Sequence, residues 1–468
     1  MLLFSIVIYF LITLGVGFYS ARRVHTAGDF INAGRNLHPA LNTAALFALW
    51  FGSETIFGAS SEFAEHGILG IIEDPLGGVL CLLLVGFFFS RRLYALNIYT
   101  IGDLFKKNYG QKIEMFSSFL MIVSFIGYAA AQIVALGLLS QSLLNISLPT
   151  AMFISTSVVV LYTFTGGMWA VSVTDFIQSI LIVIGLIVVA WYVTEMTGGI
   201  TPVANSLTPE QTRFFPENDS VSWLNWLSAW MVLGFGSIAS QDIFQRVNSA
   251  RSMKAAYYST ILGAFIYLIF SMLPLYLIAA TKIVQPDLLQ GDLQLALPQL
   301  VLNNMPMWVQ ILFFGSLLSA IMSTCSGALL APASLLSENI VKPLLTQTPD
   351  DKLFLLLTRI AVIVIGSLAY LIALSSQNIF DLVGEASIVG LVTIFVPFVA
   401  ALFFKHRDKT AAFLSMSCGT IVYAIFRFTP ITEINPLLPG FIASMGGLGF
   451  GQLLSFWNKK MNTQKNND

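Results

Sequence analysis

Apolar residues run along this chain in blocks of about 20, the length that crosses the hydrocarbon of a bilayer, and polar residues collect in the stretches between them. Thirteen spans are marked: 2–21, 41–62, 70–90, 112–143, 149–165, 173–194, 222–246, 255–281, 306–338, 353–375, 379–404, 411–428 and 434–457. The first lacks a basic start and exceeds the apolar part of a signal peptide, so it is taken as a span. Orientation comes from the basic residues. With the N-terminus outside, 20 of the 23 Lys and Arg fall in inside loops or at inside span ends, Arg246 among them, and only Arg213, Lys282 and Arg427 lie outside. That is the positive-inside bias, and it puts the C-terminus on the cytoplasmic side. The outside loops 195–221 and 282–305 are expected to be short surface caps, and the polar tail 458–468 is expected to fray.

Two spans are not uniformly apolar. The second carries Trp50-Phe51-Gly52-Ser53-Glu54-Thr55, and the seventh carries Gly234-Phe-Gly236-Ser237-Ile-Ala-Ser240-Gln241-Asp242. Each sets Gly-Ser and an acid inside an apolar run. Glycine weakens a helix there. Bare backbone groups survive at membrane depth only where they are buried in protein or line a cavity. The two spans are five apart, so they run in opposite directions, as expected of an inverted repeat of five plus five helices, each half opening with a helix broken at the binding site. Close packing through small residues also accounts for the glycines. It leaves Glu54 and Asp242 unexplained, because an acid in the apolar zone marks a pathway or a pair.

Composition narrows the class further. Hydrophobic residues make up 56% of 468 and charged residues 10%, against about 25% charged in soluble domains. A water-soluble fold and a disordered chain are excluded. A net charge of −1 leaves no basic field for nucleic acid. Cys81, Cys325 and Cys418 sit in apolar runs and read as buried thiols. The four histidines have no metal-ligand spacing, and no hydrolase or phosphate-loop motif is found, so an enzyme is not expected.

Span 9 contains Ser319-Ala320-Ile-Met-Ser323-Thr324. Ala320, Ser323 and Thr324 share one helical face. Neutral hydroxyl and carbonyl oxygens suit a hard monovalent cation such as sodium rather than zinc or calcium. Carbonyls freed near Ala48 and Phe51 would complete the set. The alternative is that the hydroxyls bond back to the preceding turn.

Four stretches carry a family resemblance: Ala33-Gly34-Arg35; Gly166-Gly167-Met-Trp-Ala-Val-Ser-Val-Thr174-Asp175-Phe-Ile-Gln178; Gln241-Asp-Ile-Phe-Gln245-Arg246; and Ser319-Ala-Ile-Met-Ser-Thr324. With the thirteen-span layout, the chain resembles the sodium:solute symporter family over essentially residues 1–457. The resemblance implies an all-α polytopic membrane protein with a LeuT-like inverted-repeat core. Residues 41–404 would form that core, 41–194 as the first repeat and 222–404 as the second. The first helix and inside loop (1–40), two added helices (405–457) and the tail would lie outside it. The implied sodium ligands are the carbonyls of Ala48, Phe51 and Ala320 and the hydroxyls of Ser323 and Thr324, with Asp175 on the sodium exit route.

Within the family, Trp50-Phe-Gly52, Trp223-Leu and Phe244-Gln245-Arg246 resemble the choline transporter-like branch. Trp50 and Tyr128 offer ring faces to a cation. The expected solute site is Trp50, Gly52, Ser53, Glu54, Glu73, Asp74, Tyr128, Ser240, Gln241 and Asp242. Ser240 stands where that branch places tryptophan, and Gly78 near where it places tyrosine, so a full aromatic cage is not expected. The function read from this is sodium symport of a small organic cation or zwitterion, choline- or betaine-like, by alternating access. Proline or a small carboxylate is the second solute reading. A sensor or channel on the same scaffold, or proton coupling through Glu54 or Asp242, is the competing class. The short tail and the lack of added domains point to a bacterial inner membrane. Oligomeric state is left open, a monomer included.

Overall fold

The computed structural model describes residues 24–465 except 145, 348, 376–377 and 430–432, together with Ile8, Leu11, Ile12, Gly15, Tyr19 and Arg22. Side chains are described for these apart from Tyr162 and 458–465. Most of the first predicted span lies outside the described residues. Among the described residues the regular structure is helical, joined by one isolated bridge between Leu37 and Ala250.

The second predicted span opens as α1 (Pro39–Trp50), with Pro39 in its first turn and His38 Nδ1 accepting from the Ala40 amide. Proline suits that place because its missing N–H has no partner to lose. The helix stops at Phe51, whose φ of −82° and ψ of 72° leave the helical region. Winding resumes through a wide turn at Glu54–Gly58 and continues as α2 (Ala59–His66). A second irregular stretch follows at Ile72–Gly77, with Asp74 extended and a cis Asp74–Pro75 bond.

Long helices follow: α3 (Gln111–Leu144) and α4 (Leu148–Thr197). Predicted spans 5 and 6 meet within α4 at Gly167, where φ of +51° and ψ of −155° leave the helical region and turn the chain, and an added Cβ would fall 2.5 Å from the Phe30 ring. Met168, Ala170 and Val171, just past the turn, are buried, so the connection between the two spans packs in the core.

The seventh span is two helices, α5 (Ser220–Gly236) and α6 (Gln241–Ser249), with residues 237–240 unwound between them. Beyond them lie α7 (Met253–Val284), α8 (Met307–Leu335), α9 (Asp351–Ala373), α10 (Ile379–Gly390, continuing to Phe403), α11 (Lys409–Phe428) and α12 (Leu437–Lys465). In its most apolar stretch α8 is 89% buried, while α9, α11 and α12 are each 33% buried. α8 is therefore the central post, packed against α1, α3, α4 and α6. α11 and α12 pair chiefly with each other at the periphery. Leu161, Trp191, Ile269, Leu371 and Phe428 are exposed on the long helices, the outward apolar surface a lipid environment requires.

Three expectations need correction. The 282–305 segment is not a mere cap, because its helix Ala296–Asn304 buries Ala296, Leu297, Leu300 and Val301. The 458–465 part of the tail continues α12 instead of fraying, since nothing in it breaks a helix. Arg246 is not at a membrane face: it is the largest fully buried side chain, 1% exposed. Among the thiols, Cys81 and Cys325 are buried and Cys418 is only partly so.

Candidate solute and ion site

A helix that stops leaves its last carbonyls without intrahelical donors. At the end of α1 these carbonyls are met one by one. Ala48 O accepts from Thr324 Oγ1 of α8 at 3.0 Å, Leu49 O from the Tyr128 hydroxyl of α3 at 3.3 Å, and Trp50 O from Thr55 Oγ1 at 3.0 Å. The break is thus held by hydroxyls from two other helices and from the chain just beyond it. Gly52 lets α8 come this close, because a Cβ there would lie 2.8 Å from Thr324 Oγ1.

The α5–α6 break faces the same region. Trp50, Gly52 and Glu54 from the first break and Gly236, Ser237, Ala239, Ser240 and Asp242 from the second line one hollow. Met121, Ser124, Phe125, Tyr128 and Gln132 of α3, Thr324 of α8, and Val383, Ala386 and Ser387 of α10 close its other sides. Its apolar wall with a few polar groups has the make-up of a small-molecule site. Asp242 Oδ1 accepts from Ser240 Oγ at 2.5 Å and from the Ile243 amide at 2.7 Å, so its charge rests on the start of α6.

Beside the hollow, Thr324 Oγ1 lies 3.2 Å from Ala320 O as well as bonding Ala48 O. The neighbouring Ser323 hydroxyl donates to Asp175 Oδ1. Asp175 is wholly buried, and its other oxygen is 3.9 Å from Nη2 of Arg246. The guanidinium also donates from Nε to Ala45 O at 2.9 Å and from Nη1 to Asp242 O at 3.3 Å. One buried cation therefore ties the first broken helix, the second broken helix and α4 together.

The sodium:solute symporter family model matches residues 30–419. The chain belongs to the sodium:solute symporter family. It is 26% identical to the high affinity choline transporter 1 of Homo sapiens, covering 95% of this chain and 80% of the relative. It is 28% identical to the high-affinity proline transporter PutP of Bacillus subtilis, covering 97% and 98%. In fold it resembles a Na+-coupled sialic acid symporter solved in a substrate-bound outward-open state, with a TM-score of 0.84 and 20% identity over 97% of this chain and 96% of that one. The nucleobase-cation-symport-1 transporter Mhp1 in a closed conformation matches with a TM-score of 0.57 and 15% identity, covering 90% and 94%.

Of the expected solute residues, Trp50, Gly52, Glu54, Tyr128, Ser240 and Asp242 line the hollow. Four do not. Ser53 donates to Gln132 Oε1 at 2.8 Å. Asp74 sits behind Trp50, accepting from the Tyr267 hydroxyl at 2.6 Å, with Thr55 Oγ1 3.1 Å from its other oxygen. Glu73 lies against Gly384, 2.6 Å from where a Cβ would be. Gln241 pins the chain before residue 101 by accepting from the Ile101 amide at 2.8 Å. Gly78 leaves room for the Trp50 ring, which an added Cβ would meet at 2.8 Å.

Among the expected sodium ligands, Ala48, Ala320 and Thr324 meet at the contact of α1 with α8, while the Ser323 hydroxyl is given to Asp175 of α4. Phe51 follows in the same break, with its ring stacked on Phe47 at 5.0 Å. Asp175 was expected along an exit route and is bonded directly to Ser323. The sequence reading missed Gln132, Ser237, Ser387 and the central place of Arg246. Gln132 was visible as a lone amide within an apolar run and Ser237 as part of the Gly-Ser break, but Ser387 differs in no sequence feature from serines that bond their own helix.

Proposed function

We propose that the chain is a sodium-coupled symporter that imports a small organic solute, a cation or zwitterion, by alternating access. The observation that carries this reading is the hollow shared by the two helix breaks, with the Thr324–Ala48 contact beside it. The coupling sodium would be held by the carbonyls of Ala48, Phe51 and Ala320 and the hydroxyls of Ser323 and Thr324, an all-neutral oxygen set suited to a monovalent ion. Asp175 would receive the ion on its way out. The solute would sit among Trp50, Gly52, Glu54, Tyr128, Ser240 and Asp242. Ser53, Glu73, Asp74 and Gln241 would support that wall from behind.

Sodium binding between α1 and α8 would fix the broken helix and favour solute binding, and the coupling must be reciprocal. Each sodium carried down 100 mV contributes about 2.3 kcal/mol. Residues 41–404 would form the inverted-repeat core and 405–457 the two added helices. The N-terminus would face outward, as the distribution of Lys and Arg in the loops supports. Similarity to PutP over nearly its whole length supports proline as the second reading, while Glu54 and Asp242 in the wall weigh against an anionic solute. The test is uptake into proteoliposomes under an imposed sodium gradient. Competition by choline, betaine or amines fits the proposal. Competition by proline alone would favour the second reading, competition by carboxylates without an ammonium alone would contradict the solute class, and uptake driven by a pH gradient without sodium would contradict the coupling.

A further inference from the structure

The hollow's polar groups are not equally occupied. Asp242 Oδ1 takes hydrogen bonds from Ser240 and the Ile243 amide, Tyr128 donates to Leu49 O, and Gln132 Oε1 accepts from Ser53. Two groups flanking the first break are different. Glu54 Oε1 and Trp50 Nε1 are buried, and among the described residues neither has a hydrogen-bond partner. Glu54 is 6% exposed and Trp50 9%, and both line the hollow. A buried acceptor or donor left unpaired costs about 1–3 kcal/mol, and more when it is charged. An occupant that pairs both is favoured over one that pairs neither.

We infer that the solute carries an ammonium with at least one N–H, donated to the Glu54 carboxylate, and an oxygen that accepts from the Trp50 indole N–H. This rests on the symporter reading and sharpens its solute class. A quaternary ammonium has no N–H to give. It satisfies a ring face but leaves the Glu54 oxygen bare in a wall from which water is displaced. A site built to bond an N–H discriminates strongly against the analogue that lacks it, because its own polar group is then stranded. The rings of Trp50, Phe125 and Tyr128 line the hollow, and Glu54 sets a directed acceptor beside them.

The test is a methylation series measured on the purified full chain in saturating sodium: ethanolamine, N-methylethanolamine, N,N-dimethylethanolamine and choline, with Kd read from titration. The first three retain an N–H and are expected to bind with similar affinity, followed by a loss of about tenfold or more at choline, corresponding to about 1.4 kcal/mol or more. Glu54→Gln is expected to weaken dimethylethanolamine by a similar factor while changing choline less, so that the step disappears. If that variant does not fold, the wild-type series decides alone. Choline binding as tightly as dimethylethanolamine, or no member of the series binding, overturns the inference. Sodium-driven uptake of an uncharged or anionic solute by the same preparation would then leave symport standing while removing the amine.

Discussion

Thr324 donates its hydroxyl to the carbonyl of Ala48 across 3.0 Å, joining the middle of α8 to the last turn of α1 before it breaks. The contact needs Gly52, whose missing side chain leaves the space Thr324 fills. Gly52→Ala is expected to destabilise the protein by about 1–3 kcal/mol through overpacking. The pair Gly52→Ala/Thr324→Ala should recover most of that stability, because the clash is removed, yet respond poorly to sodium, because the hydroxyl is gone. Melting temperatures of both variants with and without sodium check this.

Arg246 and Asp175 are opposite charges buried together, 3.9 Å apart. Removing one partner strands the other, at a cost of about 3–5 kcal/mol. Arg246→Met and Asp175→Asn should each lower the melting temperature sharply. The double variant should lose less than the sum of the two, since neither charge is then left alone. A double-mutant cycle on the purified protein measures the coupling, and simple additivity would show that the two do not interact.

The sequence was most legible where chemistry is expensive. Glu54 and Asp242 lie in apolar runs that no lipid-facing helix tolerates, and the structure breaks both helices within a few residues of them. The face shared by Ala320, Ser323 and Thr324 was equally readable, because helical spacing fixes it. What could not be read was which way each acid turns. Asp74 and Glu54 look alike in sequence, but Asp74 is taken up by Tyr267 and Thr55 from behind the wall. That arrangement depends on α7 crossing α1, a tertiary fact with no local signal. Arg246 misled for the same reason: a basic residue near a span end reads as a headgroup anchor until its acceptors, Ala45 O and Asp242 O, are seen to be in the core.

The placement of Asp74 gives its own expectation. Tyr267 donates to Asp74 and its hydroxyl also meets Thr55 at 2.7 Å. Tyr267→Phe should cost about 1–3 kcal/mol of stability by stranding a buried carboxylate oxygen. It should leave solute affinity nearly unchanged, because Asp74 does not line the hollow. Thermal unfolding and solute titration on one preparation separate the two effects, and a selective loss of affinity would place Asp74 in the site after all.

Sodium titration of thermal stability tests the ion site most directly, with potassium balancing the ionic strength. An ion that binds the folded state raises its stability as its concentration passes Kd. The wild type should show a sodium-specific rise, and Thr324→Val, which keeps the shape and loses the hydroxyl, should need about tenfold more sodium for the same rise, corresponding to about 1.4 kcal/mol. A wild type indifferent to which cation is present, or a variant with an unchanged titration curve, would contradict the assignment of the α1–α8 contact as the coupling site.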